Sequence, residues 1–392
     1  MFVHGKRALF IVPIAAAVLA ASACSSDTKS SPNSLTLGFM WQIKGESSVS
    51  INDFQDASQV ALDVIQKQGG VNGQPLNTFR VATDPVDPAK LAIQFQQGVS
   101  QQPDAMVGLV GPALEGILPS ITTAKIPVMF VGTEPFAAFG NNSGSQYLYE
   151  ALSTGEDSGR VAAEFAVNQL HAKKIAFAHT NDAYGTAISA AAQEKATSLG
   201  ATVFTDQSYD SKSTDLTNVV LAVKGADAII NFGFQGSTAT LAKQLDQNEV
   251  TIPLIGGQDT GSDVLNNAFP ETESARSYVV ANCNPHTDPS ADAQTFAEAY
   301  KAIHGSYPSQ GATVTYDSII MLAKAAEAAN STDPAKIQAA LDTVQYQGVC
   351  GAYQSDGQHI LLHNFEVLSF KDGVDKAKIE TTYTIPPGDK LN

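Results

Sequence analysis

The sequence predicts an α/β protein built as two doubly wound, parallel-sheet lobes. Strand-like and helix-like segments alternate regularly from residue 34 to 257. They do so as two similar series, one after the other. Strands that alternate with helices of about ten residues or more form βαβ units and parallel sheets. The runs at 128–131 and 228–232 are apolar without alternation, as expected where helices cover both faces of a sheet.

The first series reads as strand 34–40, helix 51–68, strand 77–82, helix 87–101, strand 105–110, short helix 111–124 and strand 127–132. Gly69 and Gly70 end the first helix where a left-handed cap is needed. Asn72-Gly73 is a tight-turn pair feeding the next strand. Asp87 caps the second helix, with Pro88 just inside it. The second series reads as helix 156–170, strand 173–179, helix 184–199, strand 201–206, helix 215–225, strand 227–233, helix 237–248 and strand 253–257. A strand at 277–283 follows, then helices at 291–304, 313–329 and 333–341 and a strand pair within 360–370. These late elements are too many to extend the second lobe alone. An economical path returns the chain to lobe one and crosses again near 348–353.

The first 33 residues lie outside this scheme. Lys6 and Arg7 precede an apolar run over 8–19, which narrows to Ala20-Ala21-Ser22-Ala23 before Cys24. That is the layout of a secretory signal peptide over 1–23. The run is shorter than the roughly 20 residues of a membrane span. A cysteine directly after small residues resembles the bacterial lipobox. This implies a diacylated Cys24, a lipidated tether over 24–33 and an extracytoplasmic, membrane-anchored protein. A plain signal peptide with a chance cysteine is the alternative.

The chain carries 39 acidic and 23 basic residues, a net charge of −16; losing Lys6 and Arg7 with residues 1–23 takes it to −18. That charge excludes nucleic acid as a partner. It also leaves the acyl chains as the membrane attachment, because anionic lipid repels such a surface. Beyond Cys24, Cys283 and Cys350 remain, either as a disulfide or as two buried thiols. His359 and His363 lie four apart in a strand-like segment, which does not make a zinc site. No nucleophile, metalloprotease or nucleotide-binding motif is present, so neither an enzyme, a metal nor a cofactor is expected.

Four pieces are more specific. They are Gly69-Gly70-Val71-Asn72-Gly73-Gln74-Pro75-Leu76, Asp87-Pro88-Ala89-Lys90, Gly111-Pro112 and Asp182-Ala183-Tyr184-Gly185. In this order they resemble extracellular solute-binding proteins of branched-chain amino acid ABC transporters over about 34–372. The resemblance implies a type I periplasmic-binding fold, a three-strand hinge and ligand between the lobes. The implied hinge strands lie near Glu150, Cys283 and Cys350, so both cysteines fall beside the hinge, where the resemblance favours a disulfide. Lobe 1 would comprise 34–150 plus 284–350, and lobe 2 would comprise 151–283 plus 351–392.

Such proteins hold an amino-acid carboxylate with hydroxyls and backbone amides. Here the first carboxylate turn reads Gly111-Pro112-Ala113-Leu114-Glu115-Gly116, with Leu114 and Glu115 at the hydroxyl positions. The second reads Val131-Gly132-Thr133-Glu134, with Glu134 at the usual threonine position. A glutamate there repels a carboxylate. Tyr184 matches the family's ligand-contacting tyrosine, Gln235 falls at a common contact, and Gln258 and Asp259 follow the strand whose turn often holds the amino group. Trp41 ends the first strand, toward the cleft. The implied function is delivery of a small polar ligand, not a simple α-amino acid, to an ABC permease by a monomeric binder. A sensory binding protein of the same fold and an extracellular hydrolase are the alternatives.

Overall fold

The computed structural model describes residues 34–42, 50–84, 87–108, 112–131, 145–285, 287–288, 290–355, 357 and 359–385. The signal peptide, Cys24, the tether, Thr133 and Glu134 therefore lie outside the described residues.

The first series is β1 (Thr36–Gln42), α1 (Ser50–Lys67), β2 (Asn77–Thr83), α2 (Pro88–Val99), β3 (Ala105–Gly108), a 3₁₀ turn (Pro112–Ile117), α3 (Leu118–Ala124), β4 (Val128–Phe130) and β5 (Leu148–Glu150). Its five strands form one parallel sheet in the order β2-β1-β3-β4-β5. The turn after α1 demands glycine: Gly70 has φ +80°, and a Cβ there would lie 1.9 Å from the Gln74 carbonyl oxygen. The Asp87 side chain accepts the Ala89 and Lys90 N–H groups, each at 3.1 Å, and so starts α2 as its sequence requires.

The second series is α4 (Gly155–Asn168), β6 (Lys174–Thr180), α5 (Ala183–Ser198), β7 (Thr202–Tyr209), α6 (Thr217–Val223), β8 (Ala228–Phe232), α7 (Ser237–Gln247), β9 (Leu254–Gly256), α8 (Gln258–Leu265), α9 (Glu271–Ser274) and β10 (Ser277–Ala281). Next come α10 (Ala291–His304), α11 (Gln310–Ala329) and α12 (Pro334–Leu341), then β11 (Gln345–Gly348), β12 (Gly351–Gln354), β13 (Asn364–Ser369) and β14 (Lys378–Thr384). The second sheet runs β14-β13-β10-β9-β8-β6-β7. Its core strands β6 to β10 pair in parallel, but β13 and β14 are antiparallel. The short link from β13 to β14 permits nothing else, because a parallel return needs a crossover of about a dozen residues.

The helices after β10 leave the second sheet. α11 packs on α1 and α12. Val314, Met321 and Ile337 share a buried cluster with Leu35, Phe39 and Met129 of the first sheet region. The sequence suggests a crossing near 348–353, but that stretch forms the β11–β12 hairpin, whose Tyr353 belongs to the same cluster. The strand-like passage beside β5 comes later. The Glu150 N–H donates to the His359 carbonyl at 2.7 Å, and the Leu361 N–H donates to the Glu150 carbonyl at 2.9 Å.

Candidate functional site

In open parallel sheets, ligands bind beyond the carboxyl ends of the strands. Three such ends in the second sheet converge. After β6, Asp182 caps α5 by accepting the Gly185 N–H at 3.0 Å. A Cβ on Gly185 would lie 2.4 Å from the Thr180 carbonyl oxygen, so only glycine lets α5 start this close to the strand end. Tyr184, inside that first turn, is half-buried and stacks on Phe234, which follows β8, with ring centroids 5.5 Å apart. After β9, Gly257 passes so close that its Cβ would lie 3.9 Å from the Tyr184 hydroxyl.

The β8 and β9 turns are joined by carboxylates. Asp263 of α8 accepts the Gly236 N–H at 2.8 Å, the Ala239 N–H at 3.0 Å and the Thr238 hydroxyl at 2.5 Å. It therefore caps α7 from a neighbouring helix. Asp259, one turn earlier, is half-buried. Burial, and then the Asp263 charge, push its carboxyl up to about 7, against the lowering effect of the Gln235 backbone N–H. Near neutral pH it can accept a hydrogen bond as a carboxylate or donate one as an acid. Gln258 accepts a hydrogen bond from the Gln310 amide at 3.0 Å through Oε1. Tyr184, Gln235, Gln258 and Asp259 are thus brought together, with Phe234 as an additional wall. That aromatic is legible only as the neighbour of Gln235.

The first sheet presents its expected residues differently. Trp41 is buried between Phe39 and Phe54, with ring centroids 5.7 and 5.5 Å away, and its indole N–H has no partner among the described residues. Leu114 is 1% exposed and packs with Leu91, Phe95 and Ile117 in the core on the α2 side. The Glu115 side chain, like Thr133 and Glu134, lies outside what is described. Glu150 ends β5 on the same face as Leu148 and Phe130 and is 2% exposed. Among the described residues both of its carboxylate oxygens lack a hydrogen-bond partner, and burial pushes it up to about 8. The sequence marks Glu150 only as a hinge position; nothing in its neighbours announces an unpaired acid.

Cys283 and Cys350 are joined in a disulfide, with Cα atoms 4.8 Å apart. No helix among the described residues is long and apolar enough to cross a membrane.

A family model described as periplasmic binding protein matches residues 34–374. An amino acid binding protein of Pseudomonas aeruginosa is 25% identical over 320 residues, 77% of this chain and 80% of that one. The Leu/Ile/Val-binding protein homolog 8 of Brucella abortus is 22% identical over 309 residues, 71% of this chain and 72% of that one. Among solved structures, a branched-chain amino acid transporter substrate binding protein from Streptococcus pneumoniae, in complex with isoleucine, has a TM-score of 0.74 at 20% identity. The match covers 90% of this chain and 99% of that one. A solute binding protein of an ABC transporter from R. palustris, in complex with 4-hydroxybenzoate, has a TM-score of 0.77 at 18% identity, covering 91% of this chain and 98% of that one. These structures share the α/β fold. With a family match that spans nearly all of the chain beyond residue 33, the protein belongs to the periplasmic binding protein family.

Proposed function

We propose that this chain is an extracytoplasmic solute-binding protein, anchored through acylated Cys24, that passes a small polar ligand to an ABC permease. It works as a monomer, and the two sheet-centred lobes close on the ligand. Lobe 1 is 34–150 with 284–355, which keeps the β11–β12 hairpin whole, and lobe 2 is 151–283 with the chain beyond the 359–363 passage. The observation that carries the reading is the convergence of Tyr184, Phe234, Gln258 and Asp259 at three adjacent strand ends. Such a site offers an aromatic wall beside groups that fix a polar end, the usual composition of a small-molecule site.

The ligand is not a simple α-amino acid in this reading. Leu114 is core, and Glu134 stands where the resembling proteins carry a carboxylate-binding hydroxyl. The isoleucine and the 4-hydroxybenzoate held by the two solved relatives both join an apolar body to an oxygen-bearing end. A ligand of that outline, without a zwitterionic head, suits the residues here. A thermal-shift screen over leucine, isoleucine, valine, 4-hydroxybenzoate, neutral amides and polyols tests this. A ligand at a hundredfold excess over Kd adds about 2.7 kcal/mol of stability, an easily read shift. The expected hit lies outside the α-amino acids and is weakened in Asp259→Asn. Tight binding of leucine, isoleucine or valine, unchanged in Glu134→Gln, overturns the ligand class; no shift with any probe counts against the binding function.

A further inference from the structure

Gln310 opens α11, the longest helix on the first-sheet side, and is 7% exposed. Its side chain joins two elements of the second-sheet side. Oε1 accepts the Asn282 backbone N–H at 2.6 Å, and Nε2 donates to Gln258 Oε1 at 3.0 Å. The amide orientation follows from the chemistry. A backbone N–H only donates, so Gln310 must turn its oxygen to Asn282 and its NH2 to Gln258. Gln258 must then answer with its oxygen, which turns its own Nε2 away from Gln310.

Asn282 carries the chain of bonds onward. Its Nδ2 donates to Ser153 Oγ at 2.9 Å and to the Asn364 carbonyl at 2.8 Å. Ser153 Oγ donates to the Leu362 carbonyl at 2.5 Å. Asn282 and Ser153 are buried, so these bonds face no competition from water. One relay thus connects the Gln258 turn to Asn282 after β10, Ser153 after β5 and Leu362 before β13.

We propose that Gln310 is a positioning and specificity-determining residue: it holds Gln258 in the orientation that offers Nε2 to an acceptor oxygen of the ligand. The ligand class selected is one with a carbonyl, carboxylate or hydroxyl oxygen at that point, paired with the neighbouring Asp259. The inference rests on the solute-binding reading for its ligand arm and on the relay alone for its structural arm.

Two variants separate these arms. In Gln310→Glu the new carboxylate still accepts the Asn282 N–H but cannot donate, so Gln258 must invert and give its NH2 to it. Gln310→Met removes both bonds without adding charge. The structural readout is nitrogen-15 NMR of the protein without ligand. In Gln310→Glu the Gln258 side-chain NH2 signals should move downfield and exchange more slowly with solvent, while the Asn282 amide stays protected. In Gln310→Met the Asn282 amide should exchange at least tenfold faster. Unchanged Gln258 NH2 signals in Gln310→Glu overturn the proposal. The ligand readout is calorimetry with leucine, leucinamide and 4-hydroxybenzoate. Whichever probe the wild type binds should bind at least tenfold more weakly to both variants, at near wild-type melting temperature; equal affinity in both also overturns it. If the NMR signature is as expected and the wild type binds none of the three, the structural arm stands and the ligand class named here is what fails.

Discussion

At the scale of single residues, the unusual groups are acids pushed upward by burial. Burial pushes Glu150 up to about 8. Asp259, Glu273 and Glu366 titrate near 7, and Asp104 and Asp317 near 6. Asp317 shows why burial is tolerated: it accepts the Val349 and Cys350 N–H groups, each at 2.9 Å, and the Tyr353 hydroxyl at 3.0 Å. Glu150 has no such partners among the described residues. Its ordinary value is 4.5, so the folded state holds its proton more tightly than the unfolded state. The stability this confers is fully present below about pH 4.5 and is lost as pH rises through about 8. Over that window it amounts to a few kcal/mol, on the order of 1.4 for each pH unit. Urea denaturation of the wild type should therefore show stability falling from pH 5 to pH 8.5. Glu150→Gln should abolish the upper part of the fall, between pH 7 and 8.5, and be the more stable protein at pH 8.5. Below pH 7 Glu150 and the remaining acids share the fall, so the variant's slope should be shallower there as well. A variant with the wild-type slope above pH 7 rejects a buried, unpaired Glu150. None of this is legible in the sequence, where Glu150 is one of 39 acidic residues and its burial depends on strands that arrive 200 residues later.

At the scale of elements, sequence and structure agree where local chemistry decides. The helix after Asp87-Pro88, the turn at Gly69-Gly70 and the start of α5 at Asp182 each follow from a cap or a glycine whose partner is a few residues away. Periodicity does not reveal β5, because three residues, Leu148–Glu150, carry none and only the resemblance points to a hinge strand near Glu150; nor does it reveal α8, Gln258–Leu265. α8 exists because its Asp263 is fixed by α7, a tertiary cause. The site divides in the same way. Tyr184 is announced by its own motif, whereas Trp41 and Leu114 are withdrawn into cores built by distant segments. The start of α5 gives a direct comparison of two local causes. Asp182→Ala removes one cap and should cost about 1 kcal/mol. Gly185→Ala forces a methyl to 2.4 Å from the Thr180 carbonyl, and backbone, unlike a side-chain tip, cannot move aside cheaply. It should cost more than the cap variant, about 1–3 kcal/mol, as overpacking does. Denaturant midpoints decide between them; an equal or smaller loss in Gly185→Ala means the strand end yields more than this packing allows.

At the scale of the whole molecule, the chain makes a long excursion. It leaves the second sheet after β10, builds α10 to α12 and the β11–β12 hairpin against the first-sheet region, and returns for β13. Cys283 lies where the excursion begins and Cys350 near where it ends, 67 residues later, and their disulfide closes it into a loop. Asp317 braces the same point from α11 through its bonds to Val349 and Cys350. The sequence offers the two cysteines but not their distance, because that distance is set by the return path of the whole excursion. In the chain-entropy account, closing a loop of this length restricts the unfolded chain by about 4 kcal/mol, an amount that native-state relaxation reduces. The double variant Cys283→Ala/Cys350→Ala should therefore remain folded, because Asp317 and the α1–α11 contact still hold the excursion, but lose about 2–4 kcal/mol. The loss should also be local in its dynamics. Hydrogen exchange should quicken across 284–350, while β6, β8 and β9 in the second sheet keep their protection. Wild-type protein under a reducing agent should follow the variant, since only the loop closure distinguishes them. Uniform quickening across both sheets would mean that the bond holds the two sheet regions together, and unchanged stability would mean that the non-covalent contacts of the excursion already suffice.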